Sequence, residues 1–391
     1  ADGGATAALG VRVSLAGSSV DSHRVRASLH GPYILQIDAA PPKSGTVWEH
    51  VQDVLPLAER ALAPPGGLLV RGAAEVDFST VLQRPSLWSA EQPWLYTLVI
   101  ELVDGGGRVV DVEASRVGVR SVSIADGLLR VNGVPITVRG VNRHEFSPVG
   151  GRTVSWAEAV TDATLMKRHN VNAVRTSHYP QSQSWYELCD AVGLYVVDEA
   201  NAETHGFMWR PGDEGALAKT PSWTPAFVAR LARMVQRDKN HACVIVWSLG
   251  NEAGYGKAHD EMAAWARSHD PTRPVQYESC GGGAATDIIC PMYPSFEEMR
   301  RLDRAKGQCA SSRHWTEISP TRTFPRATHT KEARPLIPCE YAHAMGNSSG
   351  NLREWWAAFA AGEHTQGGFV WDWVDQGLRT TTAAHRSGHK R

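Results

Sequence analysis

Two short apolar runs end in carboxylates. "CVIVWSLGNE" closes on Asn251 and Glu252, and "PLIPCEY" closes on Glu340 and Tyr341. Two carboxyls facing each other across a cleft can hydrolyse a glycoside. One protonates the leaving oxygen, and the other attacks the anomeric carbon or activates water. A gap of about 5–5.5 Å retains anomeric configuration and one of about 6.5–9.5 Å inverts it. A lone glutamate after a strand more often serves a helix N-terminus or an ion pair. The remaining run ends favour the chemical reading by convergence. They supply Asn142, Arg143, His144 and Glu145; His178; Asp198 and Glu199, with Glu203 and His205 beyond; Met292 and Tyr293; His343; and Trp371, Asp372, Trp373 and Asp375. Such ends suit a polyhydroxylated ligand, whose apolar C–H faces stack on aromatic rings. Each has a plainer reading too. A single histidine is often a hydrogen-bonded structural residue, Trp371 and Trp373 could simply pack, and Glu203-x-His205 is half a metal site whose spacing recurs by chance.

Side chains at the ends of runs can converge only if the runs are parallel. From about Val134, strand-like runs alternate with helical stretches: "ITVRGVNRH", "VNAVRTSH", "LYVVDEAN", "CVIVWSLGNE", "PVQYE", "DIICPMY", "PLIPCEY" and "GFVWDWVD". Eight β/α repeats predict a TIM (β/α)8 barrel, whose chemistry sits at the C-terminal ends of its strands. Ser155 and Glu158 form a capping box. Thr224 is the expected N-cap, with Pro225 at the first position, of a helix whose apolar face carries Phe227, Val228, Leu231, Met234 and Val235. The helix after the fifth run is not evident. A doubly wound open sheet is the alternative, weakened because no GxGxxG follows an early strand. Before about Val122, extended runs broken by turns such as "DGGG" predict an immunoglobulin-like β-sandwich, ragged over its first 30 or so residues. "LLRVNGVPITVRG" reads as a hairpin turning at Asn132-Gly133. The expected divisions are a sandwich over 1–125, a barrel over 126–380 and a disordered basic tail over 381–391. Residues 300–332 read as a long polar loop.

A formal net charge of −1 over 391 residues provides no global field for nucleic acid or an anionic membrane. No apolar run reaches the roughly 18 residues of a membrane span. Cys189, Cys243, Cys280, Cys290, Cys309 and Cys339 form no CxxC pair, and they read as buried free thiols of a reducing compartment. A cytoplasmic location is the expectation. Fourteen tryptophans exceed what a sugar cleft needs, so most are assigned to core packing and a few to sugar platforms.

The motifs "RGVNRHEFSP", "NAVRTSHYP", "YVVDEANAETHGF", "VIVWSLGNEAGYG", "TDIICPMY", "IPCEYAHAMGNS" and "GGFVWDWVDQGL" occur in an order that resembles the microbial β-galactosidases of glycoside hydrolase family 2, over roughly residues 85–378. The resemblance implies a retaining double displacement on terminal β-galactosides. It makes Glu252 the general acid/base and Glu340 the nucleophile. Tyr293 would bond the nucleophile. His144, His178, Asn251, His343 and Trp371 would bind the sugar, Trp371 as an aromatic floor. Glu203, His205 and Glu252 would hold a magnesium ion.

The family also uses sodium, whose site is expected to be incomplete here. The resemblance further implies an N-terminal jelly-roll domain, a last barrel helix and C-terminal domains that this sequence lacks, so a barrel incomplete at its C-terminal end and a truncated gene product are expected. The opening "ADGGATAALGVRV" has no Met and no leader pattern, and the native start is expected upstream. Expected partners are a β-galactoside and, in the full-length protein, further copies, with neither nucleic acid nor membrane. Two rival readings remain: another family-2 specificity such as β-glucuronidase or β-mannosidase, and an inactive galactoside-binding or structural fragment. A metal-dependent hydrolase of another kind is more distant.

Overall fold

The computed structural model describes residues 6–16, 23–34, 46–53, 73–208, 215–305, 333–345 and 348–380. They fall into two compact units: Ala1–Arg120 with Asp190–Gly193 and Asn240–Ala242, and the remainder. Residues 306–332, with Cys309, and the tail 381–391 lie outside the described residues.

The first unit is a β-sandwich. One sheet pairs β1 (Thr6–Ala16) with β4 (Ala73–Gln83). The other orders β3 (Thr46–Asp53), β2 (Arg24–Tyr33), β5 (Leu95–Val103) and β6 (Val109–Val117) as β3-β2-β5-β6, antiparallel throughout. Alternation along β2 puts Val25, Ala27 and Leu29 on one face. Val25 and Ala27 meet Val76 and Phe78 of β4, with Val11, Val13 and Ile100 packed around them.

The second unit opens with a small antiparallel sheet, β7 (Val122–Ala125), β8 (Leu128–Val131) and β9 (Val134–Pro135). Asn132 and Gly133 have φ of 53° and 76°, as a two-residue hairpin turn of the right twist requires. Asp126 and Gly127, with φ of 54° and 73°, make the preceding turn in the same way. The parallel strands β10 (Val138–Arg143), β11 (Ala173–Thr176), β12 (Tyr195–Glu199), β13 (Val244–Ser248), β14 (Val275–Gln276) and β15 (Gly367–Val370) follow, in the order β14-β13-β12-β11-β10-β15. Parallel bridges continue from Gln276 to Ile288, from Ile289 to Leu336, from Met292 to Glu340 and from Tyr341 to Val370. The path thus leads from β14 back toward β15 through single bridges, and the eight runs curl into the parallel sheet of a TIM barrel, with no helix after β15 among the described residues. Every residue of β11, β12 and β13 is buried, which explains their continuous apolar character.

Around the ring lie α1 (Trp156–Arg168), α2 (Gln183–Val192), α3 (His205–Met208), α4 (Ala216–Lys219), α5 (Thr224–Asp238), α6 (Lys257–His269), α7 (Phe296–Arg304) and α8 (Leu352–Ala361). Both bonds of the Ser155–Glu158 capping box are made. Between β14 and Ile288 the chain forms only a 3-10 turn, Glu278–Cys280, so the helix not evident in the sequence is absent there.

Two local readings are corrected. Thr224 is not the N-cap of α5. A 3-10 turn over Pro221–Trp223 runs straight into the helix, so Thr224 is already helical at φ −50°, ψ −45°, and Trp223 caps. The missing N–H of Pro225 still falls in the first turn, where it costs no intrahelical bond. The polar segment starting at 300 also begins as helix rather than loop. Ser295 accepts from the Glu298 N–H, and α7 buries Met299 and Leu302 among charged neighbours that hide its amphipathic face. Cys189, Cys243, Cys280, Cys290 and Cys339 are free and buried, as expected. No helix among the described residues is long and apolar enough to cross a membrane.

Candidate active site

At the centre of the barrel mouth is Arg175, fully buried on β11. Its Nε and Nη2 donate to the two oxygens of Glu199 at 2.7 and 3.1 Å. Nη1 donates to Asn142 Oδ1 at 2.9 Å and to Glu340 Oε1 at 2.8 Å, and Nη2 also donates to Asn251 Oδ1 at 2.8 Å. All five N–H donors of the guanidinium are therefore used. Burial works against its charge, but Glu199, Glu340 and their neighbours outweigh this and raise its pKa well above the ordinary value. Burial likewise penalises the Glu199 carboxylate. Arg175, the His178 ring and the Ser248 hydroxyl more than offset it, leaving Glu199 below its usual range.

Glu340 sits where the seventh run empties into the mouth. Its second oxygen accepts from the Tyr293 hydroxyl at 2.6 Å, while the Tyr293 backbone N–H donates to the Glu340 carbonyl at 2.8 Å. The carboxyl plane is thus fixed from both sides, by a cation and by a neutral donor. Burial and the Glu340 charge push Tyr293 far above the usual phenol range, so it remains a donor.

Glu252 follows a tight exit from β13. Gly250 has φ of 141°, and a Cβ there would lie 2.3 Å from the Ala202 carbonyl oxygen. Only glycine fits this approach, which the Asn251 N–H locks by donating to the same oxygen at 3.1 Å. Glu252 Oε2 lies 2.7 Å from His205 Nδ1, and ligand atoms of Glu203, His205 and Glu252 all lie within 4.8 Å of one another. Burial, then the charges of Glu278, Glu340 and Glu203, push Glu252 up to about 8, with Arg175 pulling the other way. The carboxyl therefore holds its proton at neutral pH. Glu252, Tyr293 and Ala342 have φ of 40°, 44° and 52°, the left-handed region that non-glycine residues rarely adopt and that clusters at functional sites.

A ring-lined floor completes the mouth. Trp371 stacks on His178 with centroids 5.0 Å apart and planes 7° apart, and His144 meets it edge-on at 5.5 Å. His343 stacks on Trp371 at 6.5 Å and contacts Tyr293 at 5.2 Å. Burial first, then the positive charges around it, push His144 down to about 4, so it presents a neutral imidazole.

The structure brings Glu252, Glu340, Tyr293, His144, His178, Asn251, His343, Trp371, Glu203 and His205 to one mouth. Other run-end residues point elsewhere. Arg143 and the Trp373 Nε1 bond Asp162 of α1, and Glu145 accepts from Ser182. The sequence alone assigns no role to Arg175 or Glu278, and it marks Glu199 only as a run end. For Arg175 the signal was present: an arginine inside an apolar run must find buried carboxylates.

Residues 12–120 match glycosyl hydrolases family 2, and residues 122–388 match the TIM barrel domain of that family. The chain is 50% identical over 311 residues to a β-galactosidase of Pseudoalteromonas haloplanktis, covering 78% of this chain and 28% of that protein. It is 51% identical over 298 residues to a β-galactosidase of Pectobacterium atrosepticum, covering 75% of this chain and 27% of that protein. The chain thus spans little more than a quarter of these relatives. Among solved structures, a family 2 member from Bacteroides cellulosilyticus aligns with a TM-score of 0.65 at 20% identity, over 94% of this chain and 43% of that one. A Bifidobacterium dentium β-glucuronidase aligns at 0.64 and 21%, over 92% of this chain and 56% of that one. At such identities the likeness concerns the fold alone. The family matches, which span both units, carry the assignment: this chain belongs to the glycosyl hydrolases family 2.

Proposed function

We propose that the protein is a retaining β-galactosidase acting on terminal, non-reducing β-galactosides. Glu340 attacks the anomeric carbon while Glu252 gives its proton to the leaving oxygen, and a galactosyl ester forms on Glu340. Glu252, now a carboxylate, takes a proton from water as that water cleaves the ester, and galactose leaves with its configuration retained. The observation that carries this reading is the contrast between the two acids. Glu252 is protonated by burial among carboxylates, while Glu340 is gripped by Arg175 and Tyr293. A carboxyl that keeps its proton, across from one fixed by a guanidinium and a hydroxyl, suits a division into acid and nucleophile. Tyr293 positions Glu340 and donates to it. His144, His178, His343 and Asn251 are assigned to the sugar hydroxyls and Trp371 to the sugar face. The choice of galactose rests on relatives that are about half identical over three-quarters of the chain and are called β-galactosidases.

Glu203, His205 and Glu252 fit a divalent cation. Two carboxylates and one imidazole converge there, and Glu252 is raised first by burial and then by the negative charges of Glu278, Glu340 and Glu203. The oxygen donors suit magnesium; the imidazole is the less usual ligand. When bound, the cation stabilises the Glu252 carboxylate and so sets how strong an acid it is. Assay of the purified chain with magnesium on nitrophenyl β-galactoside, β-glucuronide and β-mannoside tests the reading. Turnover of the galactoside alone is expected. Preference for another glycoside would replace the specificity, and galactose binding without turnover would favour an inactive binding fragment.

A further inference from the structure

Strand β12 carries two adjacent acids whose side chains take opposite sides, as strand geometry requires. Glu199 joins Arg175 in the mouth. Asp198, also fully buried, packs against α2 and α5 instead. Its Oδ1 accepts from the Tyr186 hydroxyl of α2 at 2.6 Å and lies 3.3 Å from Thr176 Oγ1 of β11. Among the described residues no N–H or neutral hydroxyl donor reaches Asp198 Oδ2, although it is buried. The Asp238 carboxyl of α5 is within hydrogen-bonding range of Asp198. Asp238 is itself fully buried and is held through both oxygens by Arg237, at 2.7 and 2.8 Å. The titratable and charged groups facing Asp198 are thus Tyr186 from α2, and Asp238 and Arg237 from α5. β11 offers only the Thr176 hydroxyl.

One guanidinium already committed to Asp238 cannot neutralise two carboxylates in contact, and a buried unpaired charge is costly. We infer that Asp198 is a neutral carboxylic acid that donates its proton to Asp238, and that this shared proton ties β12 to α5 behind Glu199. Asp198 is a positioning residue: it never reaches the mouth, but it fixes the strand end from which Glu199 holds Arg175. The inference is independent of which glycoside the site takes.

Burial, then the Asp238 charge, raise Asp198 well above the ordinary carboxyl value. The folded chain therefore keeps a proton that the unfolded chain releases near pH 4. The stabilisation is complete below that pH and is lost as pH rises through the folded value. An Asn at 198 mimics the neutral acid. Its Nδ2 donates to Asp238, its Oδ1 accepts from Tyr186, and it has no proton to lose.

The test is thermal unfolding of the whole chain and of its Asp198→Asn and Asp198→Ala variants from mildly acidic to alkaline pH. The Asn variant should melt with the parent in acid and rise above it as pH increases, by about 2–4 °C or more. The Ala variant should melt below the Asn variant throughout. An Asn variant that melts below the parent by a constant amount, or that fails to fold where the Ala variant folds, overturns the inference. Independently of any folding defect, 13C spectra of the aspartate-labelled parent should contain one protonated carboxyl at neutral pH. Its absence overturns the inference as well.

Discussion

Replacing Arg175 with Met keeps most of the side-chain volume and removes the charge from a centre that is fully buried. Five hydrogen bonds of 2.7–3.1 Å disappear at once. Glu199, with no exposed surface, loses its cation, and Glu340 loses one of its two donors. Breaking one buried ion pair by removing a partner costs about 3–5 kcal/mol. Two carboxylates share this cation, and the oxygens of Asn142 and Asn251 lose a donor at roughly 1–3 kcal/mol each before water relieves part of it. A loss of at least about 4 kcal/mol is expected, a large part of the 5–15 kcal/mol that holds a typical domain. Urea unfolding reads it as a lowered midpoint with an unchanged slope. The pH dependence provides a second check. In the parent, Glu199 is held below its usual range, so its stabilisation is present above the unfolded value and fades as pH falls through the folded one. Without Arg175 the burial penalty dominates and Glu199 rises above the unfolded value, which favours the variant in acid. The deficit should therefore shrink from neutral pH toward pH 4. A deficit below about 1 kcal/mol, or one that grows on acidification, would refute the reasoning.

Three further outcomes follow from the same geometry. Glu252→Gln should cost about 10²–10⁴-fold in turnover of an unactivated β-galactoside, as loss of a general acid does, and far less in cleavage of an aryl galactoside with a good leaving group. Equal losses on both would deny Glu252 the acid role. Chelation should move the alkaline limb of kcat/KM upward toward the value of about 8 that Glu252 has without a cation, because the acid form then persists to higher pH. Added magnesium should restore the limb, and a limb that does not move would count against the Glu203–His205–Glu252 site. Gly250→Ala places a Cβ 2.3 Å from the Ala202 carbonyl at a φ of 141°. Strain and clash at about 1–3 kcal/mol each predict a clear fall in the urea midpoint, and a change within about 0.5 kcal/mol would show that the exit from β13 can relax.

The fold and most of the mouth were legible for one reason. Strands buried on both faces read as unbroken apolar runs, and an acid, amide or aromatic just past the end of such a run can turn into the mouth. Glu252, Glu340, Tyr293 and Trp371 are all of this kind. Arg175 is different. It lies within its run, where a side chain points into the barrel or away from it according to a register that one sequence does not reveal. Glu278 ends the run "PVQYE", but β14 has only two residues and Glu278 already begins a 3-10 turn, so the run does not project a direction for it. The Asp198–Asp238 contact joins a strand to a helix that ends 40 residues later, and no local pattern announces it. The Asp126-Gly127 turn could have been read from its residue types. Thr224 misled because Thr before Pro resembles a cap, whereas the turn that begins at Pro221 had already started the helix.

In the proposed mechanism Glu340 forms a covalent bond to galactose with Glu252 as its acid partner. The most direct measurement is incubation of the purified chain and magnesium with an activated 2-deoxy-2-fluoro-β-galactoside, followed by intact mass and peptide mapping. One adduct is expected, on the peptide containing Glu340. An adduct on any other residue, or none on chain shown to be folded, would contradict it.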